Sequence, residues 1–135
     1  MRENTFFSKD PFSLECGDVL PGIKITYHCS EGSPGNRQVV WICHALTANS
    51  NPMEWWPALV GPDKFFDPGR QFLVCANVPG SCYGSTGPDA AGFPLITIRD
   101  MVKAHELLRE HLNIHTIDLL IGGSSGGFQA LEWSI

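Results

Sequence analysis

Hydrophobic and polar positions follow three different rhythms along this chain, and each predicts a different element. "VVWIC" (39–43), "FLVCAN" (72–77) and "IDLLIG" (117–122) are continuous apolar runs rich in Val, Ile and Leu, the pattern of strands covered on both faces of a parallel sheet. "KITYHC" (24–29) alternates instead, which suits an antiparallel edge strand paired as a hairpin with "VVWIC" across the turn-rich "SEGSPGN". In "TIRDMVKAHELLREHL" (97–112) the apolar positions recur every three to four residues, and Ile98, Met101, Val102, His105, Leu108 and Leu112 make one helix stripe. Thr97 suits the N-cap, with the charge of Asp100 favourable in the first turn, and Asn113 suits the stop.

Strand, helix, strand and then a glycine-rich turn into a second helical pattern is the order of a βαβ unit, so the fold class is α/β with a mostly parallel sheet. Two long irregular stretches, 44–70 and 78–95, follow the carboxyl ends of strands, where such sheets build their sites. The 135 residues make one domain or part of one, with no internal boundary or repeat.

Charge and cysteines narrow the function. A net charge of -5 with scattered Lys and Arg offers no basic patch, so nucleic acid is not an expected partner. The five cysteines are odd in number, include no C-x-x-C pair and sit mostly in or beside apolar runs, which predicts reduced thiols in a cytoplasmic protein. No segment has the apolar length of a signal peptide core or a membrane span, so no membrane association is expected. No metal-ligand spacing occurs, and neither a metal nor a bound cofactor is expected.

The chemistry concentrates in "LLIGGSSGGFQALEWSI" (119–135). G-x-S-x-G between a buried strand and a helix is the pattern of a nucleophile elbow, in which a serine is thrust out at a sharp turn. Here it fits twice: Gly122 and Gly126 flank Ser124, while Gly123 and Gly127 flank Ser125. Spacing alone does not choose between them. With Ser124 as nucleophile, an oxyanion hole would use the backbone N–H of Ser125 and one from the loop "HALTANS", namely that of Leu46. A serine also needs a base oriented by a third group, which in this fold follows it as an acid and then a histidine. All five histidines precede the serines, and only Glu132 follows them. His44 is expected to shape the backbone of its loop, His105 on the helix stripe to be packed or half-exposed, and His111 and His115 to lie on the surface. "GSCYGSTGP" (80–88) reads equally as a wall of an acyl pocket or as a structural Ω-loop, and the pair Trp55 and Trp56 as packing.

Four stretches, "VVWICHALTANS", "FLVCANVPGSCYGSTGP", "FPLITIRDMVKAHELL" and "LLIGGSSGGFQALEW", together resemble the N-terminal part of the homoserine O-acetyltransferases. The resemblance runs from about Phe12 to the last residue. It implies the N-terminal part of an α/β-hydrolase fold and a two-step transfer. Serine takes the acetyl group of acetyl-CoA, and the hydroxyl of L-homoserine then takes it from the acyl-enzyme. It implies Ser124 as the nucleophile, because the family's elbow reads GGS, methionine, GG, with Ser125 at the methionine position. Pro79 is a second departure, standing where leucine is expected. The resemblance admits a homodimer of the complete protein and places the lid and the triad Asp and His beyond Ile135. The chain is therefore expected to be an inactive fragment, with "IDLLI" left as an unpaired apolar edge prone to aggregation. A serine ester hydrolase of the same fold and a non-catalytic remnant are the alternative functions.

Overall fold

The computed structural model describes residues 1–88 and 92–135, so residues 89–91 of the second long loop lie outside the described residues. In chain order the elements are β1 (Arg2–Ser8), β2 (Phe12–Ser13), β3 (Val19–Leu20), β4 (Ile23–Cys29), β5 (Val39–Cys43), α1 (Pro52–Trp55), β6 (Phe72–Ala76), α2 (Ile98–His111), β7 (Leu119–Gly122) and α3 (Ser125–Trp133). Five strands form one sheet in the order β1-β4-β6-β5-β7. β5 runs parallel to β6 and to β7, whereas β4 is antiparallel to β6 and to β1. β2 and β3 pair in a separate two-stranded ribbon.

The three apolar runs become the parallel strands, and every residue of β5 and β6 is buried. Alternation sends their side chains to opposite faces. Val39, Trp41 and Cys43 join Phe72, Val74 and Ala76 under α2 and α3, in a cluster that includes Ala104 and Leu108. Val40, Ile42, Leu73 and Cys75 form the other cluster with Val60 and Phe66, and Met53, Trp55 and Trp56 pack against it. Trp55 and Trp56 are thus packing residues, their ring centroids 4.9 Å apart. Burying one such large side chain stabilises the fold by roughly 1.5–3 kcal/mol.

The expected hairpin is replaced by a different pairing. β4 is antiparallel, as its alternation suggests, but its partner is β6, with Tyr27 opposite Ala76, and β1 covers its other side. Ser30 locks this arrangement just past β4: its hydroxyl donates to the Gln71 carbonyl (3.0 Å) and accepts the Leu73 N–H (2.9 Å). β1 escapes a hydrophobicity pattern because only its Phe6 packs on the core while Phe7 stays exposed.

α2 has the predicted ends. Thr97 accepts the Asp100 N–H (3.2 Å) while the Asp100 carboxylate accepts the Thr97 N–H (3.0 Å), a complete capping box. At the other end Asn113 adopts a φ of 54°. The N–H of Ile114 reaches the Arg109 carbonyl (3.1 Å) and that of Asn113 the Glu110 carbonyl (2.9 Å), the paired bonds of a Schellman stop. Arg99 ties α2 to both flanking segments through Glu15 (2.8 Å) and Glu132 (2.6 Å).

His105 faces inward from α2, fully buried between Trp41 and Trp133, with each ring centroid 5.9 Å away. Neither ring nitrogen has a hydrogen-bond partner among the described residues. Desolvation by burial pushes its pKa down to about 3. The unfolded chain, with histidine near 6.5, binds a proton that the folded chain refuses, so His105 makes stability fall as pH drops from 6.5 toward 3. Urea unfolding followed by circular dichroism should show the midpoint declining between pH 7 and pH 4, and His105→Leu should flatten that decline while leaving the midpoint at pH 7 equal or higher.

Candidate active site

β5 and β7 lie side by side with Cys43 opposite Gly122. The loop leaving one strand and the turn leaving the other therefore emerge together at the carboxyl edge of the parallel strands. At that turn Ser124 takes φ 55° and ψ -124°, a backbone state that costs a non-glycine residue on the order of 1–3 kcal/mol. Its side chain is exposed, and its carbonyl accepts the Gly127 N–H (2.9 Å) to start α3. The hydroxyl makes no capping bond.

Glycine sterics distinguish the two overlapping patterns. A Cβ on Gly122 would sit 2.2 Å from the Gly126 carbonyl oxygen, and one on Gly126 would sit 2.1 Å from the Cys43 oxygen and 2.8 Å from that of His44. These are backbone atoms that cannot swing aside. A Cβ on Gly123 would meet nothing closer than the Trp56 ring at 4.0 Å, and one on Gly127 would rest 3.6 Å from the Gly122 oxygen. The pair that the fold requires flanks Ser124. The pair flanking Ser125 has room for side chains.

Ser125 opens α3, where a backbone N–H has no partner within the helix. The approach of Gly126 to Cys43 and His44 sets this helix start against the beginning of the "HALTANS" loop. There the Ala48 N–H closes a turn onto the Ala45 carbonyl (3.0 Å), with Leu46 inside the turn and its side chain 74% exposed. Ser124, Ser125 and Leu46 are thus on segments that the sheet brings together.

His44 is buried and fully engaged. Its Nδ1 donates to the Ala45 carbonyl (2.8 Å) and its Nε2 accepts the Val78 N–H (3.3 Å), so both bonds are met by the neutral ring protonated at Nδ1. Burial lowers its pKa, against the opposing effect of the bond to Ala45. This is the backbone-shaping role expected of it. Among the described residues no histidine or carboxylate is hydrogen-bonded to Ser124.

The 80–88 loop is pinned along β4. Lys24 and Thr86 exchange two bonds of 2.8 Å, and the Thr26 N–H donates to the Ser85 hydroxyl at 3.0 Å. Gly84, with a φ of 88°, lies so close to Thr26 that a Cβ would approach its hydroxyl to 2.7 Å. Gly80, Ser81 and Pro88 of the same loop line an apolar groove of about 530 Å³ with Leu46, Phe93 and Met101. Asn77, at the root of this loop and buried, had no signal beyond being a polar residue ending an apolar run. All five cysteines are free, and burial pushes the Cys43 thiol up to about 12. Among the described residues no group of three or more His, Cys, Asp and Glu is placed to hold a metal ion, and no helix is long and apolar enough to cross a membrane.

Residues 38–135 match the family described as alpha/beta hydrolase fold. The homoserine O-acetyltransferase of Cyclobacterium marinum is 42% identical to this chain over 146 residues, covering 100% of the chain and 42% of the relative. That of Trichormus variabilis is 45% identical over 137 residues, covering 93% and 38%. The chain spans about two fifths of the length of these curated relatives. The crystal structure of homoserine O-acetyltransferase from Staphylococcus aureus superposes with a TM-score of 0.84 at 29% identity, over 98% of this chain and 42% of that one. Esterase E22 superposes with a TM-score of 0.82 at 21% identity, over 98% and 43%, a likeness of fold alone.

Substitution should separate the glycines. Gly126→Ala and Gly122→Ala should each lower unfolding free energy by at least about 3 kcal/mol, whereas Gly127→Ala, inside α3, should be neutral or stabilising by up to about 1 kcal/mol. Ser124→Gly relieves the positive φ and should raise the Tm, as scanning calorimetry would show.

Proposed function

Because the chain belongs to the alpha/beta hydrolase fold family, we propose that it carries the acylation half-site of a homoserine O-acetyltransferase, with Ser124 as the nucleophile. The observation that carries this reading is the exposed Ser124 hydroxyl, held at a positive φ by two glycines that the packing requires. The identity of 42–45% to homoserine O-acetyltransferases supports the choice of acyl transfer.

On this reading the Ser124 oxygen attacks the thioester carbonyl of acetyl-CoA. A carbon–oxygen bond forms, the carbon–sulfur bond breaks, and the serine proton passes through a base to the departing thiolate. The hydroxyl of L-homoserine then attacks the acetyl-serine, gives up its proton to the same base and leaves as the O-acetyl ester, restoring the serine hydroxyl. In both steps negative charge develops on the carbonyl oxygen, and the N–H groups of Leu46 and Ser125 receive it. Losing one such donor lowers turnover by roughly 10²–10³-fold. The base must lower the cost of deprotonating a serine that is a poor nucleophile at neutral pH. His44 cannot serve, since both its nitrogens are bonded to backbone. Among the described residues no base is bonded to Ser124, and the chain spans only about two fifths of the length of its curated relatives; the free cysteines agree with a cytoplasmic setting.

The protein expressed from its complete open reading frame should gain an acetyl group on the Ser124 peptide when incubated with acetyl-CoA, read by mass spectrometry. Adding L-homoserine should discharge it as O-acetylhomoserine. Ser124→Ala should carry no label, and residues 1–135 alone should label no faster than that variant. Absence of label on Ser124 in the complete protein rejects the nucleophile, and discharge at the same rate with or without L-homoserine rejects transfer in favour of hydrolysis.

A further inference from the structure

The loop that starts beside the turn at Ser124 meets the 80–88 loop across a groove lined by Leu46, Gly80 and Ser81, and one buried side chain joins the two. Asn77 is 2% exposed and follows β6 directly. Its Oδ1 accepts the Ser50 N–H at 2.7 Å, and its Nδ2 donates to the Ser50 hydroxyl (2.9 Å) and to the Tyr83 carbonyl (2.9 Å). The orientation of the carboxamide is fixed by chemistry, since a backbone N–H can only donate and a carbonyl can only accept. Its own backbone is held as firmly: the Asn77 N–H donates to the Thr26 carbonyl (2.9 Å) and its carbonyl accepts the Ser85 hydroxyl (2.7 Å). The next residue, Val78, donates its N–H to His44.

The segment 44–50 is therefore fastened at its two ends to consecutive residues of the chain, His44 to Val78 and Ser50 to Asn77, with Leu46 between the fastenings. A loop held at only one end would sample many positions for the Leu46 N–H. An oxyanion donor is effective only within a few tenths of an ångström of its place. An amide uniquely suits the position: an aspartate would offer no donor to the Tyr83 carbonyl and would face it with a buried negative charge, and an apolar residue would leave the Ser50 N–H unpaired.

We infer that Asn77 is the positioning residue of the oxyanion hole, holding the 44–50 loop against the 80–88 loop so that the Leu46 N–H meets the developing charge. This rests on the assignment of Ser124 and Leu46 under Proposed function. The Asn77 side chain is buried and bonded to Ser50 and Tyr83 rather than to Ser124, so its effect should appear in the rate of acylation per working site rather than in binding or in the fraction of folded protein.

The test uses the complete protein and p-nitrophenyl acetate in stopped flow. The burst amplitude counts competent Ser124 sites and the burst rate measures their acylation, with mass spectrometry confirming the label on Ser124. Asn77→Ala should slow the burst rate 10- to 100-fold while its amplitude per mole of folded protein and the KM stay within about twofold of wild type. Ser50→Ala keeps the backbone bond to Oδ1 and removes the hydroxyl with its bonds to Asn77 Nδ2 and His28 Nδ1, so it should fold even where Asn77→Ala does not and slow the burst 3- to 10-fold. A wild-type burst rate in both variants, or in Ser50→Ala alone should Asn77→Ala be insoluble, overturns the inference, as does a loss confined to amplitude. No label on Ser124 in the wild-type protein counts instead against the assignment of the nucleophile.

Discussion

The first turn of α3 passes so near the end of β5 that no side chain fits between them. Gly126 lies against the carbonyls of Cys43 and His44, and Gly122 against the carbonyl of Gly126. These contacts are between backbone atoms, so nothing can rotate away to make room. The helix can approach this closely only if the chain turns sharply out of β7, and the turn falls on Ser124, which accepts a positive φ and an exposed side chain as the result. Position, exposure and strain at this one residue all follow from the same lack of space.

The surroundings hold that arrangement with bonds that do not depend on charge. His44 is kept neutral by burial and by two backbone partners, and the Asn77 carboxamide does not titrate. The rim is therefore a set of backbone amides and neutral side chains, which keeps a fixed orientation. Fixed dipoles of this kind stabilise developing charge better than mobile ones, because they need no rearrangement when it appears. Charged pairs lie elsewhere: Arg99 with Glu15 and Glu132 joins α2 to its neighbours, and Arg109 with Glu106 lies within α2 itself.

Much of this was legible from residue order. Runs of Val, Ile and Leu marked β5, β6 and β7 because strands covered on both faces have no polar side to show. The Thr97 and Asp100 pair and Asn113 marked the ends of α2 because their side chains and backbone preferences act locally. β1 and the partner of β4 were hidden, since both depend on pairing between distant segments. The G-x-S-x-G pattern located the turn but was ambiguous between Ser124 and Ser125, and only the distances to Cys43 and Gly126 separate required glycines from permitted ones. Asn77 left no trace because its importance lies in which groups surround it. The stripe left His105 either packed or half-exposed, and only the structure shows it wholly enclosed between two tryptophans.

The contact between Gly126 and Cys43 joins positions about eighty residues apart in sequence, and it closes only when β7 has docked in parallel beside β5. Pairings of such long range carry the largest loop-closure entropy and form late. The bend at Ser124 thus belongs to the end of the folding route: a partly assembled chain holds the same residue in a relaxed backbone. The strain at this residue is a readout of finished topology.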